Sequence, residues 1–89
     1  MKRCVLDGSR LDDAEAVYRE LGRVFRFPPH FGNNPDALWD ALGEYGGEPV
    51  AVVWRNADRS AECLGPDYPR ILAVLQKAAE KGLLTLQFA

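Results

Sequence analysis

Pro49-Val50-Ala51-Val52-Val53-Trp54 is the stretch that decides the fold. Val50 to Trp54 are all apolar, and three of the five are valine, whose branched Cβ suits a pleated sheet better than a helix. No polar residue alternates with them, so this strand has no water-facing side. It is either central in a small sheet or covered on both faces. Upstream, Asn34-Pro35 opens a helix: Asn is a good N-cap, and a proline at the first helical position gives up an N–H that would be orphaned anyway. That helix carries Ala37, Leu38, Ala41 and Leu42 inward and ends before Gly46-Gly47. Further back, Arg3 to Asp7 reads as a short strand closed by Asp7-Gly8-Ser9. Asp12, with Glu15 three residues on, then starts a helix whose face is Ala14, Val17, Leu21, Val24 and Phe25, stopped by Phe27-Pro28-Pro29.

Downstream of Trp54, residues 55–64 have room for a short helix that Gly65-Pro66 breaks. Pro69 to Lys81 is helical, with Ile71, Leu72, Leu75, Ala78 and Ala79 on one face and Gly82 as its stop. Leu83 to Phe88 alternates as a last strand. The order is strand, helix, helix, strand, helix, helix, strand. Strands joined through helices pair in parallel with right-handed crossovers. The expected architecture is therefore α/β: a three-stranded parallel sheet packed with about four helices, as one domain over residues 1–89.

Composition narrows the function. The 89 residues carry a net charge of −2, too balanced for a general nucleic-acid binder, which needs a strongly basic face. Cys4 and Cys63 stand far apart in no metal-ligand spacing; we read both as reduced thiols in or near the core, with a disulfide between them as the lesser alternative. Met1-Lys2-Arg3 is followed by too short an apolar run for an export signal, and no run approaches the length of a membrane span, so the expected location is the cytoplasm.

The charge is segregated. Phe27 to Glu48 holds Asp36, Asp40, Glu44 and Glu48 with no Lys or Arg, which leaves nine of the thirteen acids against eleven basic residues elsewhere. Asp36, Asp40 and Glu44 stand at i, i+4 and i+8, an acidic ridge along one helix face. Like charges at that spacing destabilise a helix by roughly 0.2–0.5 kcal/mol per pair. Asp36 has a local excuse, since a carboxylate in the first turn is favoured by the helix dipole. Asp40 has none, Glu44 stands against the dipole, and Glu48 reads as loop solvation. An acidic ridge fits a cationic cleft, where it can take the place of substrate phosphates and hasten association. His30, Phe31, Trp39 and Tyr45 interleave the acids, a composition found at protein-binding hot spots; core packing is the plainer reading of Trp39 and the favoured one for Phe31, and His30 and Tyr45 are the better contact candidates. An active site or metal site built on His30, Asp36 and Asp40 lacks a nucleophile, a phosphate-cradling loop and further ligands.

The run Phe27-Pro-Pro-His-Phe-Gly-Asn-Asn-Pro-Asp-Ala-Leu-Trp-Asp-Ala-Leu, followed by Pro49 and a strand ending Val53-Trp54-Arg55, resembles the barstar family, intracellular inhibitors of barnase-type secreted ribonucleases. The shared pattern is Phe/Tyr-Gly-x-Asn-x-Asp-Ala-Leu-Trp-Asp, here Phe31 to Asp40 with Asn34 in it, and the resemblance is looser outside residues 27–55. It implies a three-stranded parallel sheet with four helices, no catalysis and no cofactor. The second helix and the loop before it would plug the ribonuclease active site. By resemblance Asp40 is the central acid, Asp36 the acid one turn earlier and Trp39 the tryptophan between them. His30 stands where the family has a tyrosine that stacks on the enzyme's catalytic histidine, and Tyr45 near a tryptophan position. Gly43 or Gly46 would allow close backbone approach. Two positions depart: Glu44 replaces a small residue, and Lys77 falls where the family's prototype has a glutamate.

The expected function is thus that of a monomeric ribonuclease inhibitor with a partner-binding set of His30, Asn34, Asp36, Trp39, Asp40, Gly43, Glu44 and Tyr45, with no nucleic-acid or membrane partner. The alternatives are a module of the same fold that binds a different toxin or regulator, and a small enzyme built on His30 and the two aspartates.

Overall fold

The computed structural model describes all residues, 1–89. Its elements run β1 (Lys2–Asp7), α1 (Ala14–Phe25), α2 (Pro35–Glu44), β2 (Val50–Arg55), α3 (Ala57–Leu64), α4 (Asp67–Glu80) and β3 (Thr85–Phe88). The three strands form one parallel sheet in the order β1-β2-β3, with Lys2 opposite Val50, Asp7 opposite Arg55, Ala51 opposite Thr85 and Trp54 opposite Phe88. The chain steps across the sheet in the same direction twice. Two right-handed crossovers in one direction put both helix pairs on the same face.

That face holds the core. Cys4 and Leu6 of β1 and Val50, Val52 and Trp54 of β2 join Val17, Leu21, Val24, Phe25, Leu38, Leu42, Ile71, Leu75 and Ala78 from the helices in one hydrophobic cluster. On the opposite face Arg3, Val5, Thr85 and Gln87 are exposed. Ala51 and Val53 are buried there nonetheless, because the register sets Ala51 between Arg3 and Thr85, and Val53 between Val5 and Gln87. β2 is therefore continuous in its burial because it is central, not because helices cover both faces.

The boundaries follow local chemistry, with four shifts from the sequence expectation. α1 is capped by Asp13, whose Oδ1 accepts the Ala16 N–H at 2.8 Å, one residue later than Asp12. Glu15 instead pairs with Arg19 at 2.9 Å. α1 ends before the prolines, at Arg26, whose left-handed φ of 58° lets the Phe27 N–H turn back to the Gly22 carbonyl. α4 begins at Asp67 rather than Pro69. Pro69 lies within the first turn, where its missing N–H has no partner to lose. β3 starts at Thr85, after Gly82 at φ 77° ends α4 through the Leu83 N–H to Ala78 carbonyl bond.

The two thiols differ. Both are free; Cys4 is buried, and burial first, then the Glu20 charge, pushes its pKa up to about 12. Cys63 is exposed on α3, against the expectation of a core or near-core position. The helical period explains it: Ser60 and Leu64, four residues apart, take the inward face of α3, and Cys63 falls outside it. Ser60 earns its burial by accepting the Trp54 Nε1–H at 2.8 Å, which satisfies the indole in the core.

Candidate protein-binding groove

α2 is placed by its two ends and one face. Asn34 Oδ1 accepts the Ala37 N–H at 2.8 Å, Pro35 occupies the first turn, and Leu38 and Leu42 are buried against the core. The helix lies against α4. Ahead of it, the segment from Arg26 to Asn33 is pinned by a chain of rings. Tyr18 meets Phe31 at 5.9 Å between centroids, Phe31 stacks on Phe27 at 4.4 Å, Phe27 stacks on Phe25 at 6.1 Å, and Phe25 meets Tyr45 edge-on at 5.0 Å. The Tyr45 hydroxyl then donates to the Glu48 carbonyl at 2.5 Å, tying the end of α2 to the next loop. Aromatic pairs of this kind add about 0.5–1.5 kcal/mol each beyond burial.

Between α2 and this ring chain lies a groove of about 810 Å³. Phe25, Phe27, Phe31 and Tyr45 line it, with Ala37, Asp40, Ala41 and Glu44 from α2, His30 and Gly32 from the loop, and Gly46, Gly47 and Glu48 beyond. Ala37 and Ala41 thus line the groove rather than the core. The groove unites four of the expected site residues: His30, Asp40, Glu44 and Tyr45. Asn34 caps the helix. Asp36 and Gly43 are exposed outside the groove lining, and Trp39 is half-buried with the Lys77 ammonium 5.0 Å above its ring. A side chain added at Gly43 or at Gly46 would meet nothing within 4 Å, so the surface is open at both.

The electrostatics are less one-sided than the linear segment implies. Lys2 and Arg26 also line the groove, brought in from β1 and the end of α1, and Lys77 stands on the α4 side of the helix. Sequence reasoning missed Lys2 and Arg26 because neither is near α2 in the chain; only the packing of β1 and α1 places them there. Glu48 accepts the Met1 amine at 3.0 Å, and this bond, with the amine's charge, lowers its pKa. The other ion pairs are Glu15–Arg19 and Glu20–Arg23, so Asp36, Asp40 and Glu44 have none. Three carboxylates on successive turns of one helix are thus left free of internal partners, and two of them face a groove with an aromatic floor. No group of three or more His, Cys, Asp or Glu is arranged to hold a metal ion, and His30 makes no side-chain hydrogen bond to either aspartate.

The family model for "Barstar (barnase inhibitor)" matches residues 1–86. The chain belongs to the barstar family. A Bacillus subtilis (strain 168) protein named "Putative ribonuclease inhibitor YrdF" is 32% identical over 81 residues, covering 91% of this chain and 89% of the relative. The three parallel strands and four helices are those the barstar resemblance implied. Within the barstar-type motif, Asn34 and Leu38 serve the fold, while Asp36 and Asp40 have no structural partner. No helix is long and apolar enough to cross a membrane.

Proposed function

We propose that this protein inhibits a ribonuclease stoichiometrically, covering a cationic active site with α2 and the loop before it. The observation that carries the reading is the free pair Asp40 and Glu44 on the wall of the groove, continued by Asp36 one turn earlier. Unpaired carboxylates in fixed positions cost nothing to uncouple before they meet a partner's cations, and they draw that partner in over a distance set by ionic strength. Membership of the barstar family and the name of the Bacillus relative support the same reading. Asp40 supplies the central charge, Asp36 and Glu44 flank it, His30 and Tyr45 give flat contact area, and the open backbone at Gly43 and Gly46 admits close approach. Trp39 acts from the edge of this surface and Asn34 by holding the start of the helix. The protein acts in the cytoplasm as a monomer before complex formation, shielding the producing cell, and catalyses nothing itself.

The test is a pair of substitutions. Asp40→Ala is expected to weaken the complex by roughly 2 kcal/mol or more, a hot-spot magnitude to which this family's prototype complex itself contributed. Glu48→Ala, whose carboxylate is already engaged with the Met1 amine, is expected to leave affinity nearly unchanged. Equal losses in calorimetry, with both variants folded, would remove Asp40 from the centre of the surface.

A second reading keeps the surface and changes the partner. Lys77, seated over Trp39 beside the acidic stripe, puts a cation where the family's prototype carries an acid. A barstar-like module whose partner is a toxin or regulator other than a ribonuclease, basic opposite the acidic stripe and acidic opposite Lys77, accommodates that sign. A strongly salt-sensitive complex with such a protein, and no effect on RNA cleavage, would favour it.

A further inference from the structure

Ala37 and Ala41 turn one flank of α2 to the groove; the other flank, with Trp39, leads onto a second charged surface on α4. Arg70, Val74, Lys77 and Lys81 stand at i, i+4, i+7 and i+11 and share one face of that helix, Lys81 being its C-cap. The three cations are exposed, and Val74 between them is half-buried. None of the three has an ion pair, although α2 with its free acids packs beside α4. We propose that this basic stripe is a second contact surface, which takes an acidic segment of the protein partner that α2 engages.

The plain alternative is a solvated helix face. Lys77 and Lys81 fit it in part, since the dipole favours cations near a helix C-terminus. They are also one turn apart, a like-charge spacing that weakens a helix. Arg70 does not fit it, because it lies one turn into α4, where the dipole disfavours a cation. Asp67, in line with the stripe and three residues before Arg70, makes no ion pair with it.

Charge decides the occupant. From Arg70 to Lys81 the stripe runs about 16 Å at the helical rise, and an acidic helix with glutamates at the same spacing covers it in register. Nucleic acid fits less well. Asp36, Asp40 and Glu44 on the neighbouring helix repel phosphates, and the Trp39 ring that could stack on a base has the Lys77 ammonium 5.0 Å above it. A partner cationic opposite α2 and acidic opposite α4 is fixed in orientation, since turning it round sets like charges together. Gly43, where even an added Cβ would meet nothing within 4 Å, leaves the surface low between the two stripes, so one partner can lie across both.

The proposal rests on the reading of α2 as a protein-binding helix, but its test needs no ribonuclease. The isolated protein is titrated at low salt with a capped helical peptide carrying glutamates at that spacing, and with its glutamine counterpart, while amide and indole resonances are followed by NMR. Saturable shifts are expected at Arg70, Val74, Lys77 and Lys81 and at the Trp39 indole N–H. The Trp54 indole, bonded to Ser60 in the core, should not move. Binding should weaken by about threefold or more when added salt cuts the Debye length from about 30 Å to about 8 Å. The variant Arg70→Gln with Lys77→Gln, at two exposed positions, should keep the spectrum of the fold and lose the saturable shifts. Equal response to the glutamine peptide, equal shifts at other exposed cations such as Arg3 and Arg59, an unchanged titration in the double variant, or tighter binding of a single-stranded oligoribonucleotide to the same residues would overturn the proposal. A peptide response with no inhibition of any ribonuclease would uphold the stripe and refute the enzyme partner; inhibition with no peptide response would uphold the inhibitor and refute the stripe.

Discussion

At the scale of single residues, the corner after β1 shows how little tolerance the fold has. A Cβ on Gly8 would lie 2.2 Å from the Asn56 carbonyl oxygen and 2.6 Å from the Ser60 hydroxyl. The first of these is backbone and cannot swing aside, and the second belongs to the side chain that satisfies Trp54. Gly8→Ala should therefore destabilise by about 1–3 kcal/mol or more, read as a lower midpoint in urea with the slope unchanged. The neighbouring Asp7 is tied to the same corner. Its Oδ1 accepts from Asn56 Nδ2 at 2.8 Å and from the Ser9 N–H and hydroxyl, and these bonds, Asn56 first, hold its pKa at about 2 against an ordinary 3.8. A depressed carboxylate contributes stability that is fully present above the ordinary value and lost as pH falls through the folded one. Between pH 3.8 and about 2 the protein should weaken, and Asp7→Asn should weaken less over that window than the parent. Parallel urea midpoints for the two proteins would refute the assignment to Asp7.

At the scale of elements, α2 joins a structural cap to the proposed binding surface. Replacing Asn34 by Ala removes the acceptor for the Ala37 N–H and should lower stability by roughly 0.5–2 kcal/mol, measured in denaturant. Affinity for a partner, measured where both proteins are folded, should fall far less than on loss of Asp40. A larger effect on binding than on stability would make Asn34 a contact rather than a cap. This helix was legible in the sequence because its signals are local: Asn34-Pro35 sets its start, and the spacing of Leu38 and Leu42 sets its buried side. The end of α1 was less legible, because Pro28 and Pro29 announce a stop while the left-handed turn at Arg26 makes it two residues sooner. The early start of α4 was hidden by Pro69, a residue that breaks helices in their interior and is harmless in their first turn.

At the scale of the whole molecule, topology was readable and charge was not. Alternating strands and helices fix a parallel sheet through crossover handedness, whereas the unbroken apolar run of β2 left a central place and helices on both faces as alternatives until the sheet order decided for the first. The acids of residues 27–48 looked unopposed because the cations near them lie far off in sequence: Lys2 at the start of β1, Arg26 at the end of α1, Lys77 near the end of α4. Folding sets these beside the acidic stripe without neutralising Asp36, Asp40 or Glu44. The aromatic chain from Tyr18 to Tyr45 was hidden for the same reason, since its rings come from α1, the loop and the end of α2. What emerges is a surface with an acidic centre and cationic borders, built on a rigid floor. The most direct test of the central claim is titration calorimetry against a barnase-type ribonuclease, with RNA cleavage followed on the same samples. The account predicts binding at one-to-one stoichiometry with cleavage abolished at equivalence; undiminished cleavage in the presence of excess protein, with no heat of binding, would contradict it.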